Sequence, residues 1–266
     1  VHYNMAKHSD GAVCQTGGDS HAAADIICYM NGYNDPRRKA YFTESEWGKG
    51  FEYTGLRHGI IIPDHSSVGH KYSGVKIAAD SPIYWMNAAE VAFLKAEAAG
   101  VFGYNMGGSA RDFYEEGIRL SFEQWGAGDA SAYIADGSSI PQVYLDPAGT
   151  NTYSQALSTI TVAWNDSADA EEMQERIITQ KWIANWLLGN ESWADWRRTG
   201  YPHLIPASDA GNKSNGMVDS AEGARRMPYP RDEYVNNPEN IRQAVSEYLA
   251  GPDNMSTRLW FDCKNK

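Results

Sequence analysis

The spacing of apolar residues changes near residue 81. From 83 to 100, "IYWMNAAEVAFLKAEAAG" puts Ala, Val, Leu and aromatic side chains on nearly every helical face. The segment therefore predicts a helix buried on more than one side. Ser81-Pro82 reads as its start, with Ser as N-cap and Pro at the first helical position, and Gly100 as its end. A second start lies at Ser109, with Asp112 three residues on, and "ARDFYEEGIRLSFEQWG" runs to Gly126. Phe113, Gly117 and Ser121 fall in one i, i+4 row, and the small members should let a neighbouring backbone come close. The Gly-rich "GYNMGG" (103–108) predicts an antiparallel helix pair. From Ser167, "ADAEEMQERIITQKWIANWLL" carries an acidic first turn that suits the positive end of a helix dipole. Gly189-Asn190 should break or kink this helix. Asn237-Pro238 opens a last helix, "ENIRQAVSEYLAG".

Elsewhere the periodicity fails. Residues 1–80 are dense in Gly, His, Tyr and Asp, with turn signals at Asn34-Asp35-Pro36 and Pro63-Asp64. "HGIII" (58–62) and "KYSGVKIA" (71–78) predict short strands, and "SHAAADIICYM" (20–30) is the one helix candidate there. Residues 127–165 read as a loop with marginal helices, 200–236 as Pro- and Gly-rich coil, and the tail as extended and aromatic. No fixed-period repeat and no composition break divides the chain. The expectation is one mainly α region, loop-rich over 1–80 and helical over 81–266.

Composition narrows the partners. The chain has 266 residues, 42% of them hydrophobic, enough for a sizeable core. A formal net charge of −11 repels phosphate, which argues against nucleic acid and anionic membrane. No apolar run is long enough to span a bilayer, and no signal peptide is present. The chain starts at Val1 rather than Met and reads as a processed or truncated product. Cys14, Cys28 and Cys263 have no metal-ligand spacing. A Cys14–Cys28 bridge is open in an oxidising compartment, but the odd count argues against a disulfide framework.

The chain is rich in Trp (9) and Tyr (16). Such rings fill cores, line interfaces and stack on the apolar faces of sugars. On one continuous helix Trp182, Trp186, Trp193 and Trp196 would point to about 0°, 40°, 20° and −40°, a single stripe that reads as a core face. Glu191, Asp195, Arg197 and Arg198 beside it suggest a partly buried network of Arg–carboxylate pairs.

Several blocks of the chain resemble the SusD/RagB family, and within it the SusD-like lipoproteins of Bacteroidetes. They are "AEVAFLKAEAAGVFGYNMGGSARDFYEEGIRLSFEQWGAG" (89–128), "ERIITQKWIANWLLGNESWADWRRTGYPHL" (175–204), "RRMPYPRDEYVNNPENIRQA" (225–244) and "TRLWFD" (257–262). "NDPRRKAYF" (34–42) matches the family's Asp-Pro-Arg element. The resemblance implies an α-helical superhelix with long ordered loops and a few short strands. It implies a non-catalytic, lipid-anchored protein on the outer face of the outer membrane. Such a protein captures oligosaccharides, or peptides in some branches, and closes over a SusC-like TonB-dependent transporter. The family's long N-terminal half, with its tetratricopeptide-like helices and lipobox Cys, has no counterpart here. The resemblance therefore implies the C-terminal part of a longer protein, with membrane contact only through an anchor this chain lacks. The family's QKW and WRRTGYP signatures are read as serving the fold.

No contact residue carries over from the family, so the ligand site is sought among residues that no periodicity explains. Tyr33, Trp47, Phe51, Tyr53 and Tyr72 lie in the irregular region among polar and Gly-rich residues. They are the candidate ligand-binding residues, by stacking on sugar rings aided by Asp, Asn or Arg. Packing of loops onto helices is the competing reading for each. A peptide-binding or scaffold role in the same uptake complex stands as the alternative function. A glycoside hydrolase needs two carboxylates at a set separation. Asp64, Glu90, Glu97 and Asp195 can be drafted, but none sits in a motif. His58, Asp64, His65 and His70 cluster in sequence without a metal motif. There is no Gly-x-Ser-x-Gly elbow and no phosphate loop. No cofactor is expected.

Overall fold

The computed structural model describes residues 20–62, 64, 68–78 and 80–262. Cys14, Cys263 and His65 lie outside the described residues. The α-helices are α1 (Ala24–Gly32), α2 (Arg38–Tyr41), α3 (Ala88–Gly100), α4 (Ala110–Gln124), α5 (Ser131–Ile134), α6 (Ala170–Ala184), α7 (Gly189–Thr199), α8 (Arg231–Asn236) and α9 (Pro238–Tyr248). The mainly α expectation holds.

Helices α3 and α4 form the central pair. Gly100 lies against Ala110, and Phe93 against Gly117, so the two run in opposite directions. An ideal Cβ on Gly117 would sit 2.8 Å from the Phe93 ring. The small member of the i, i+4 row thus receives a buried aromatic ring rather than a backbone. Ser109 caps α4 in a capping box with Asp112, as its sequence predicts. Helix α6 packs against both partners.

Helix α8 forms at Arg231–Asn236, inside the stretch expected to be coil, and three further boundaries differ from expectation. Helix α3 starts at Ala88, because Asn87 caps it by accepting from the Glu90 N–H at 2.7 Å. The Ser81 hydroxyl instead accepts from Ala78 N–H in the loop. Val91 and Leu94 of α3 face solvent, so this helix is not buried all round. Helix α6 is capped by Asp169, two residues after Ser167. The break expected at Gly189-Asn190 falls earlier: α6 ends at Ala184, and Leu187, with a φ of 75°, re-aims the chain into α7.

That turn divides the Trp stripe. Trp182 packs edge-on against Tyr29, and Trp186 lies against Tyr41 and Phe42, so both fasten α1 and α2 to α6. Trp193 and Trp196 sit on a separate surface beside Ala224 and Arg225.

No strand forms among the described residues. Gly74 bridges His21 and Val75 bridges Phe42, so this segment changes partner within one residue. Residues 58–62 make no bridge; the neighbouring Leu56 pairs with Ala23 instead.

Buried tyrosines join segments far apart in sequence. The hydroxyls of Tyr29, Tyr41, Tyr114 and Tyr144 donate to the carbonyls of His203, Ile183, Val162 and Gly55 at 2.6–3.0 Å. Each contact hides a large ring and pairs a carbonyl that burial would otherwise leave without a partner. Much of the Tyr content therefore belongs to the core.

Candidate functional site

The five candidate aromatic residues do not share one surface. Tyr33 is 2% exposed, and its hydroxyl donates to Ile160 C=O at 2.9 Å. Tyr72 is 1% exposed, and its hydroxyl donates to Asp146 Oδ1 at 2.6 Å. Burial pushes both phenols well above their usual range, so both remain neutral donors. Both rings belong to the core, with no face open to a ligand. Tyr53 is also buried, with the Arg38 guanidinium 4.4 Å from its ring centroid.

Trp47 and Phe51 are half-exposed and lie in one turn. The turn is closed by Ser45 N–H donating to Glu52 C=O at 2.7 Å and Phe51 N–H to Gly48 C=O at 2.9 Å. Gly48 and Gly50 have φ of 83° and 89°, a backbone that any other residue would strain. The Trp47 ring is held from beneath: Tyr72 meets it edge-on at 5.6 Å, and the Lys71 ammonium lies 5.1 Å from its centroid. Its indole N–H has no acceptor among the described residues. Tyr72 is thus a support for Trp47, anchored through Asp146. The Asp146 carboxylate also accepts from the N–H groups of Ala148, Thr150 and Asn151.

Phe51 and Tyr53 edge a shallow notch of about 60 Å³ shared with Asn31, Gln142 and Leu145. Asn31 fixes the Tyr53 backbone at 3.0 Å and accepts from Arg38 at 2.5 Å. The exposed side chains around Trp47 are Glu44, Glu46, Lys49 and Glu52. A half-open indole ringed by mixed-sign polar groups suits a neutral, hydroxyl-rich ligand, with stacking on the ring and hydrogen bonds at the rim. Lys71 and Arg38 are the groups that sequence reasoning missed. Lys71 directly precedes Tyr72, and Arg38 sits in the Asp-Pro-Arg element, but neither contact is local in sequence.

Three of the four drafted carboxylates have other work, and Asp64 is exposed. Glu90, Glu97 and Asp195 are buried. Arg198 grips Glu97 through two hydrogen bonds of 2.7 and 2.9 Å and reaches Asp195 at 2.9 Å. Lys181 pairs with Asp195 at 2.7 Å and stands 3.8 Å from Glu90. These contacts tie α3, α6 and α7 together, as the Arg–carboxylate network expected around Asp195 and Arg198 requires, while Glu191 is exposed. Arg197 departs from it: its guanidinium lies 3.8 Å over the Trp193 ring and donates to Arg225 C=O. Among the described residues, no three His, Cys, Asp or Glu are grouped to hold a metal ion. No helix of the described residues is long and apolar enough to cross a membrane.

The SusD-like family model, described as Susd and RagB outer membrane lipoprotein, matches residues 2–262. No match is found among curated proteins. The chain is 62% identical to a SusD homologue of Bacteroides uniformis, with a TM-score of 0.89, covering 94% of this chain and 51% of that one. A SusD homologue from Bacteroides ovatus matches at 46% identity and a TM-score of 0.82, over 92% of this chain and 52% of the other. A chitin-binding SusD homologue from Flavobacterium johnsoniae matches at 41% identity and a TM-score of 0.82, over 92% and 50%. The chain thus spans about half the length of these solved relatives.

Proposed function

Because this chain belongs to the SusD-like family of Susd and RagB outer membrane lipoproteins, we propose that it handles ligand in a cell-surface nutrient-binding protein. The ligand is an oligosaccharide, captured without catalysis and passed to a SusC-like TonB-dependent transporter. The full-length protein carries the lipid anchor that places it on the outer face of the outer membrane. The observation that carries the glycan reading is the Trp47 ring, half-open and braced by Lys71 and Tyr72. Trp47 and Phe51 are the contact residues of this reading, with Tyr53 at the edge and Tyr72 as the support of Trp47; Tyr33 belongs to the core. A non-catalytic role is supported by Glu90, Glu97 and Asp195, which are all buried and held in structural contacts.

The chitin-binding relative makes chito-oligosaccharides the first ligands to test. The test is affinity electrophoresis and tryptophan-fluorescence titration of the full-length protein against chitohexaose and a polysaccharide panel, beside Trp47→Ala. Retention by one glycan, weakened at least tenfold in the variant, is the expected result. A folded protein that ignores every glycan but binds peptides would sink the oligosaccharide reading.

A further inference from the structure

A second concave surface lies on another part of the molecule. It is a cleft of about 420 Å³, within the roughly 300–1,000 Å³ of small-molecule sites. One wall is α7, which presents the half-buried rings of Trp193 and Trp196. The second is the segment 203–207, and the third comprises residues 220–225 with Arg258. His58 reaches in from the irregular region.

The walls are fixed chiefly by contacts with one another. Trp193 Nε1 donates to Ala224 C=O at 2.8 Å, joining the first wall to the third. Arg197 covers one part of the Trp193 ring at 3.8 Å, and Arg225 stands 4.4 Å from the Trp196 centroid. Gly223 has a φ of 67°, and an ideal Cβ there would lie 3.1 Å from the Trp196 ring, so backbone meets the indole edge closely. Ser208 N–H donates to His58 C=O, and Ala207 N–H to Ser220 C=O, which join the second wall to its neighbours. The indoles are therefore set in place before any ligand arrives, which lowers the ordering cost of binding.

The charges in the cleft are balanced. Arg225 donates to Asp262 at 2.7 Å, and Arg258 contacts both Asp262, at 3.0 Å, and Glu222. His58 Nδ1 stands 3.2 Å from Asp25. Arg225, Arg258 and His58 each already face a carboxylate, so none of these charges is an unmatched partner for an ionic ligand. What remains is aromatic surface with a rim of His, Glu and Arg groups, a composition that suits a neutral polyhydroxylated molecule.

The geometry points to a second saccharide-binding subsite in this cleft, apart from the Trp47 turn. It would hold another segment of the same glycan or a second chain. The inference rests on the oligosaccharide reading of the protein. Two subsites on one body raise the apparent affinity for long glycans over short ones, because the second contact becomes intramolecular.

The test uses the full-length protein, titrated with chitohexaose by calorimetry and tryptophan fluorescence. Ala221→Trp fills the cleft from an exposed position, and His58→Gln alters the opposite rim. Circular dichroism and thermal melts check that both remain folded. The expected result is residual binding in Trp47→Ala, which falls at least tenfold further when Ala221→Trp or His58→Gln is added. Titrations of Ala221→Trp and His58→Gln identical to the parent, with Trp47→Ala abolishing all binding, would overturn the cleft while leaving glycan capture in place. No chitohexaose binding by the parent protein would overturn the cleft assignment for this sugar. Failure against the whole polysaccharide panel would remove the glycan reading itself.

Discussion

Asp35 and Arg37, two residues apart and both fully enclosed, form a bidentate ion pair, with Arg37 Nε 2.9 Å from Asp35 Oδ1 and Nη2 2.5 Å from Oδ2. The same guanidinium donates to Ser121 of α4 at 2.9 Å, and to Tyr133 of α5 and Gln180 of α6 at 3.2 Å. One side chain from the loop-rich region thus joins three helices. Removing it strands a buried carboxylate, which costs about 3–5 kcal/mol against a total stability of about 5–15 kcal/mol. Arg37→Ala should therefore lower the urea midpoint severely or prevent soluble expression. A midpoint within error of the parent would show the pair to be dispensable.

Glycine at two helical positions should respond oppositely to alanine. At Gly117 a methyl group meets the buried Phe93 ring, and overpacking of this kind costs about 1–3 kcal/mol, more than the ~1 kcal/mol helix propensity returns. At Gly189 nothing lies within 4 Å of the new Cβ, and Gly189→Ala should stabilise by about 0.4–1 kcal/mol. Chemical denaturation of both variants reads the two signs directly.

Tyr33 and Trp47 were both candidate contact residues, and their environments predict separable phenotypes. Tyr33→Phe leaves Ile160 C=O without its buried donor, a loss of about 1–3 kcal/mol of stability. Glycan affinity should not change. Trp47→Ala should weaken glycan retention at least tenfold while the melting temperature moves far less than a core truncation requires. Affinity gels run beside thermal melts separate the two.

The His58–Asp25 contact gives stability a dependence on pH. The Asp25 carboxylate, 3.2 Å from Nδ1, raises the His58 pKa against the effect of burial. The stabilisation is therefore complete below about pH 6.5, the ordinary value for His, and disappears as pH rises through the raised folded value. The His58 side chain is 61% exposed, so screening limits the effect to about 0.2–1 kcal/mol. Melting curves of the parent and His58→Gln should differ most at acidic pH and converge at alkaline pH. A constant gap across that range would refute the linkage.

Much of the helical frame was legible where the signal was local. The Ser109–Asp112 box and the Pro238 start are chemistry confined to one turn, and both hold. The α3 start was legible too, in the Asn87–Glu90 spacing, but the Ser-Pro pair upstream imitated a cap. The Trp stripe failed because a single left-handed residue, Leu187, resets the helical phase. The aromatic site was the least legible part. Whether a tyrosine outside a helix faces ligand or core depends on its hydroxyl partner, and Tyr33 finds its partner 127 residues away. Trp47 differs only in standing on a glycine turn that lifts part of its ring out of the core, and the Gly48–Gly50 spacing is the one local trace of that.

Cys28 sits within α1 as a free, buried thiol whose pKa burial pushes up to about 12. Thiolate is the reactive form, so the native state shields this sulfur from alkylation twice, by access and by protonation. With Cys14 and Cys263 replaced by serine, the rate of Cys28 labelling becomes a timer for the opening of α1. Helix α1 is also where Tyr29 and Trp182 meet, so the timer reports how often the loop-rich region lifts from the helices that carry it.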